Sequence, residues 1–358
     1  MRYHLGRAAA RLLGPRSYAE RLNPGEIQSI LICRINARMG NALFITPLIR
    51  KIRERIPHAT IHLAIAYPFA DELLGRLPNV RIIEFPYKGA SLPWRYLGAI
   101  HRLRRTRFDL VIDPVPNSTG GRAILMTARA RRRLGYATEH QWAPLTHAVP
   151  LPQGTLHQAA QPVYLLSRAL GDEYHPADVR LWLPLEPQEM EAGRALVRGA
   201  LLRKQGSGAA GGAFGFFAHA TGLKRIGLPY WRAFWDCFLE LQSAAVPLEF
   251  LPTPHTAPSD PRCAAVHIPS PRALAGAMAA TRMFISADTG PMHLASSTEV
   301  PTVAVFCASD PALYGPLKPC DLALRAEQCD PRELAQRCAA IWRQGVPDRP
   351  GTRGALGA

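Results

Sequence analysis

At 358 residues, 47% hydrophobic and 20% charged, the chain has the length for about two globular domains and holds no apolar run long enough for a membrane-spanning helix. Its seven cysteines are scattered, odd in number and free of any Cys-x-x-Cys pair, which argues for free thiols in a reducing compartment and against a disulfide framework or a zinc site. The net charge of +16 is uneven: residues 1–150 carry 24 Lys and Arg against 9 Asp and Glu, a net of +15, while residues 151–358 carry 19 against 18.

In chain order, residues 1–24 place five arginines among Leu5, Leu12, Leu13 and Tyr18, the pattern of a basic amphipathic helix or of a loose extension. Arg7, Arg11 and Arg16 interrupt what would have to be the apolar centre of a signal peptide. Strands are predicted over 30–34, 60–66, 80–85 and 110–113, with helices over 41–56, 68–76, 94–105 and 120–128 between and after them. Arginine runs lie at 102–107 and 129–133. A helix over 157–170 stops at Gly171, and the proline-containing stretch 172–187 reads as an interdomain connection. A helix over 189–204 and a Gly/Ala-rich loop over 205–213 follow. The alternation then restarts: strands over 214–218, 247–251, 264–268, 283–286 and 301–306, and helices over 229–242, 272–280 and 330–343. Such alternation predicts two α/β halves with parallel sheets, each binding ligands beyond the carboxyl ends of its strands. Their facing edges would form a cleft.

One stretch concentrates chemistry. The apolar strand ending near Ser286 is followed by Asp288-Thr-Gly-Pro-Met-His-Leu-Ala295, and Pro291 suits the first turn of a helix because its missing N–H would be unpaired there. A strand, a polar turn and a helix start present free backbone N–H groups, which makes an anion site. The same residues also suit an ordinary corner in which Asp288 or Thr289 caps the helix.

This stretch resembles the C-terminal signature of glycosyltransferase family 9, the heptosyltransferases of lipopolysaccharide core assembly. The match runs through Val300-Pro301 and from Asp310-Pro311 to Gly315-Pro316 in one register. A second match lies in front, at Ile30 to Ile35 with Arg34, Gly40-Asn41 and Thr46-Pro47-Leu48, followed by Arg50, Lys51 and Arg53. Here Asn41 stands where the family has an acid, often taken as its catalytic base, and an amide cannot take a proton near neutral pH. A third match is Phe217-Ala-His-Ala-Thr-Gly-Leu-Lys224 with Trp231 behind it. After Leu251 the chain departs from the family, since 252–258 replaces a small-residue turn near the nucleotide.

The resemblance implies a GT-B-type fold of two Rossmann-like domains with parallel sheets facing across a cleft. Its organisation would be a basic extension over 1–25, an acceptor-binding domain over 26–171, a linker over 172–187 and a donor domain over 188–330. A C-terminal helix over 331–346 and a disordered tail over 347–358 would complete it. It implies an inverting, metal-independent glycosyltransferase with no resident cofactor, using a nucleotide-sugar co-substrate, expected to be ADP-heptose. Thr221, Lys224, Asp288, Thr289, Gly290, Met292 and His293 would hold the donor. Arg34, Arg38 and Gly40 would hold the acceptor, Asn41 would orient it, and Asp113 is the best substitute base. No Asp-x-Asp motif or P-loop is present, and His140, His147, His157 and His219 show no His-x-x-x-His spacing. The basic half would meet an acidic glycolipid at the inner leaflet of the cytoplasmic membrane, the protein being cytoplasmic, peripheral and expected to be a monomer. Two alternatives remain at this level: a sugar-nucleotide-binding protein that has lost turnover at Asn41, and a basic nucleic-acid binder, for which no reading motif is found.

Overall fold

The computed structural model describes residues 20–86, 93–139, 141, 143–205 and 212–344. The chain divides between Leu183 and Pro184 into two units. The basic extension over 1–19, most of the loop over 205–213 and the tail from 345 lie outside the described residues.

The first unit contains six strands: β1 (Ser29–Arg34), β2 (Thr60–Ile65), β3 (Val80–Glu84), β4 (Arg107–Ile112), β5 (Arg129–Ala137) and β6 (His147–Pro150). They form one sheet in the order β3-β2-β1-β4-β5-β6, parallel throughout. The central strands β1 and β4 are nearly continuous apolar runs, as a sheet covered on both faces requires. The helices are α1 (Met39–Leu43), α2 (Thr46–Arg55), α3 (Ala70–Leu74), α4 (Pro93–Arg105), α5 (Thr119–Thr127) and α6 (Ala160–Leu170).

The single helix predicted over 41–56 is two. Pro47 lies in the first turn of α2 and has no N–H to continue a ladder from α1, so the chain breaks at Phe44 and Ile45. The arginine run at 129–133, which resembles solvated charge, is the start of β5. Arg132 there pairs with Glu26, and Arg133 donates to the carbonyls of Leu125 and Ala128. The segment after Gly171 packs on the first unit: Trp182 N–H donates to Thr46 Oγ1 at 2.9 Å, and Arg53 stands 5.5 Å from the Trp182 ring.

The second unit repeats the plan. Its strands are β7 (Ala213–Phe217), β8 (Val246–Leu251), β9 (Ala264–His267), β10 (Met283–Ala287), β11 (Thr302–Phe306) and β12 (Leu322–Arg325). They pair in parallel in the order β12-β11-β10-β7-β8-β9. The helices are α7 (Pro187–Gln205), α8 (Leu228–Leu241), α9 (Pro271–Ala279), α10 (Gly290–Ser296), α11 (Pro311–Tyr314) and α12 (Pro331–Gln344). Trp231, Phe234, Trp235 and Phe238 recur at helical spacing on α8 and pack against Phe214 and Phe216 of β7. Trp342 of α12 joins that cluster, so the C-terminal helix is part of the second unit's core.

In each sheet the chain starts in the middle, builds to one side, then returns to build the other. The strand order therefore reverses between β1 and β4, and again between β7 and β10. Loops diverge at such points and leave a crevice beyond the strand ends, where ligands bind in this architecture. Among the described residues no helix is long and apolar enough to cross a membrane.

Candidate functional site

The residues singled out from the sequence gather at these two reversal points. In the second unit Asp288 follows β10 directly. Thr289 caps α10, its Oγ1 accepting the Met292 N–H at 3.4 Å, while Pro291 occupies the first turn. Ser286 Oγ donates to the Ala287 carbonyl at 2.7 Å and lies 3.0 Å from Thr289 Oγ1. These hydroxyls lock the turn. The capping reading and the anion-site reading are thus compatible: a side chain satisfies one donor, and further N–H groups of the first turn have no partner within the helix.

Lys224 arrives from the neighbouring strand. After β7 the chain makes a short turn over Gly222–Lys224 in which Gly222 has φ 61, a left-handed conformation suited to glycine. This brings Lys224 Nζ to 2.6 Å from Asp288 Oδ2. Asp288 is buried, whereas the lysine side chain is 39% exposed. The ammonium also lies 5.7 Å from the ring centre of Tyr314 in α11, so the Asp310-to-Pro316 motif closes on the same spot. His293 Nε2 lies 3.9 Å from Asp288 Oδ1.

Two of the donor candidates stand differently from the rest. Met292 is fully buried against Ala304 and Phe306; its side chain belongs to the core, and only its backbone N–H reaches the turn. Thr221 is exposed, ahead of the turn that carries Lys224.

A further pair was not read from the sequence. Glu249 of β8 is completely buried; Oε1 lies 2.9 Å from His219 Nε2, and Oε2 accepts from the Ser259 N–H at 2.7 Å and Oγ at 2.9 Å. The carboxylate anchors the loop over 252–258 at Ser259 and fixes His219, two residues beyond β7. A lone acid in the apolar strand Val246–Leu251 was the available signal, since buried acids need partners. His255, in that loop, is exposed.

In the first unit Arg34 ends β1. It donates from Nε to the Asn41 carbonyl at 3.1 Å and from Nη2 to Asn41 Oδ1 at 2.8 Å. Asn41 therefore serves as an acceptor for the arginine, on a helix whose start is set by Arg38 N–H donating to Asn36 Oδ1 at 2.9 Å. Gly40 is buried beside it, while Arg38 is exposed.

Asp113 follows β4 and is 1% exposed. Burial pushes its carboxyl up to about 7; the Arg122 guanidinium, the Val115 N–H and Arg34 each pull it back in part. Arg122, in α5, is itself buried and donates to the Pro116 carbonyl. Gly121 allows this packing, because a Cβ there would lie 2.3 Å from Asp113 Oδ1. The paired glycines at 120 and 121 were the sequence signal for that close approach. A carboxyl poised near neutrality suits a group that takes up and releases a proton during a reaction. Among the described residues no three His, Cys, Asp or Glu side chains converge to hold a metal ion.

Comparison with known proteins bears on the fold and the family resemblance. Residues 272–340, which include Asp288 through His293, match the model of glycosyltransferase family 9 (heptosyltransferase). Among solved structures, a glycosyl transferase family 9 protein from Veillonella parvula aligns over 89% of this chain and 99% of its own, with 18% identity and a TM-score of 0.69. The E. coli ADP-heptose lps heptosyltransferase II aligns over 89% and 99%, at 17% identity and a TM-score of 0.67. The E. coli heptosyltransferase WaaC, solved with ADP, aligns over 88% and 98%, at 18% identity and a TM-score of 0.63. No curated protein sequence matches. The resemblance read from the motifs is therefore carried by a family-model match over residues 272–340 and by the two-sheet GT-B-type α/β fold of these glycosyltransferases along most of the chain.

Proposed function

We propose that this protein transfers a sugar, heptose from an ADP-heptose donor, to a hydroxyl of a phosphorylated glycolipid of the lipopolysaccharide core, with inversion at the anomeric carbon. The observation that carries this reading is the Lys224–Asp288 pair at the β7–β10 reversal, beside the start of α10. A donor diphosphate would draw Lys224 away from Asp288, and the first N–H groups of α10 would share its charge. Both stabilise the leaving group as negative charge develops. Asp288, freed of its lysine, would accept from hydroxyls of the transferred sugar. WaaC, solved with ADP, supports an adenine nucleotide as the donor.

In this mechanism Asp113 takes the proton from the acceptor hydroxyl. Arg34 holds the acceptor's phosphate while Asn41 holds Arg34 in place. No metal enters the step. Asp113 is also what favours turnover over mere donor binding: the amide at Asn41 cannot act as a base, whereas a carboxyl near neutrality can. The excess of positive charge over residues 1–150 suits an acidic acceptor presented at the inner face of the cytoplasmic membrane, with the protein bound peripherally.

Thermal unfolding in the presence of ADP-, GDP- and UDP-sugars tests the donor. A ligand that binds only the folded state raises the melting temperature, and ADP-heptose is expected to raise it most. If no nucleotide sugar shifts it, the donor assignment fails. Turnover of the shifting donor, abolished in Asp288→Ala, then separates a transferase from a binding protein.

A further inference from the structure

Helix α4 has a sharply divided surface. Ala99 and Leu103 are buried against the sheet, with Tyr96 and Ile100 packed beside them. The opposite face is open: Trp94 and Leu97 are each 66% exposed. Trp94, Leu97, His101 and Arg105 follow one another at three- and four-residue steps and form a single stripe. Arg95 and Arg102 flank it on one side and Arg104 on the other. No carboxylate among the described residues pairs with any of these arginines.

Two large apolar side chains in the middle of an arginine field are costly to leave in water, and a soluble core does not use them. We infer that the exposed face of α4 docks on an anionic lipid bilayer, with Trp94 and Leu97 inserted at the headgroup boundary and the arginines on lipid phosphates. An indole, an aliphatic side chain and flanking guanidiniums on one helix face are what such an interface binds. Two further features support this occupant. Beside the stripe, Trp94, Arg95, Gly98 and Arg102 line, with Glu84 and Pro86, a cavity of about 450 Å³ that gathers two guanidiniums and an indole, against one carboxylate, with Arg102 donating to the Glu84 carbonyl at 3.5 Å. At the other end of α4 the field continues: Arg104, Arg107, Arg129, Arg131 and Arg133 line a groove of about 600 Å³. The acid in that groove, Asp109, already accepts the N–H groups of Gln28 and Ser29.

A second copy of this chain would bring the same arginines face to face and is disfavoured by charge. Trp94 lies beside Glu84 at the end of β3, hence on the sheet edge that also carries Arg34 and Asp113. The inference extends the membrane part of the function proposed above, but its test needs neither donor nor acceptor, so its failure leaves the transferase reading standing.

The test is flotation of the full chain with vesicles of phosphatidylcholine alone and of phosphatidylcholine with phosphatidylglycerol. The chain is expected to float with the anionic vesicles, less so as salt rises, and not with the neutral ones. Trp94→Ser with Leu97→Ser should weaken binding roughly tenfold or more. Arg95→Gln with Arg102→Gln should weaken it about fivefold per charge removed and flatten its salt dependence. All four side chains lie on the open face, and matching melting curves would show that the variants fold. Undiminished flotation of the Trp94 and Leu97 variant overturns the inference. So does equal binding to neutral vesicles. Dimerisation lost in that variant without vesicle binding, or a preference for duplex DNA over vesicles, overturns it in favour of another occupant.

Discussion

Asp113→Asn separates catalysis from stability at one position. Burial has raised this carboxyl from 3.8 to about 7 in a side chain that is 1% exposed. The unfolded chain releases the proton near 3.8, while the folded protein keeps it to about 7. Across that window the folded state binds more protons, so stability falls as pH rises and levels off above it. The whole change corresponds to about 4 kcal/mol, of which about 2 kcal/mol accrues above about pH 5.5. Asparagine keeps the shape and removes the charge. The variant is therefore expected to be more stable than the parent at about pH 8.5. Its advantage should be about 2 kcal/mol larger there than at about pH 5.5, several degrees in melting temperature. Transfer should meanwhile fall by roughly a hundredfold to ten-thousandfold, the usual contribution of a general base. The parent's rate should climb with pH to a plateau above about 7, because the base must be ionised. Unfolding curves at the two pH values and initial rates with the donor supply both readouts. A stability difference that ignores pH, or a variant less stable at about pH 8.5, would mean that Arg122 and Arg34 hold the carboxylate as a structural ion pair. A near-parental rate would remove Asp113 from the mechanism.

Lys224→Met takes away the cation 2.6 Å from Asp288 and the one that would meet the diphosphate. Affinity for ADP, measured by titration calorimetry, is expected to fall roughly tenfold to a hundredfold, and unchanged affinity would place the diphosphate elsewhere. Glu249→Ala strips the acceptor from the Ser259 N–H and hydroxyl and the carboxylate from His219. It should destabilise the protein by about 2–4 kcal/mol, whereas Glu249→Gln, which still offers an oxygen, should cost less. Equal melting temperatures for all three proteins would show that this buried network holds nothing.

Much of the architecture was legible in the amino-acid pattern. Alternating apolar strands and amphipathic helices have different periods, so most central elements of both sheets are readable from local pattern alone. The Asp288 turn was readable too, because Pro291 and a capping threonine are local signals of a helix start. The strands that escaped are β12 and β6, four residues each and next to prolines or polar turns, and β5, which opens on a run of arginines. Their backbones are strands because a neighbouring strand offers hydrogen-bond partners, which is a property of the sheet and not of the segment.

The same division holds for the site. Local pattern was enough to show which residue types stand near the strand ends: an acid and a histidine after β10, a lysine after β7, an arginine and an asparagine after β1. Which of them meet depends on how the strands are ordered in the sheet. Strands β7 and β10 are 66 residues apart in the chain at their closest ends, yet adjacent in the sheet, and that adjacency joins Lys224 to Asp288. Burial likewise decided the state of Asp113. A strand-end aspartate is ordinary in sequence; it approaches neutrality because a glycine lets a helix close over it and remove the water that would have held its charge.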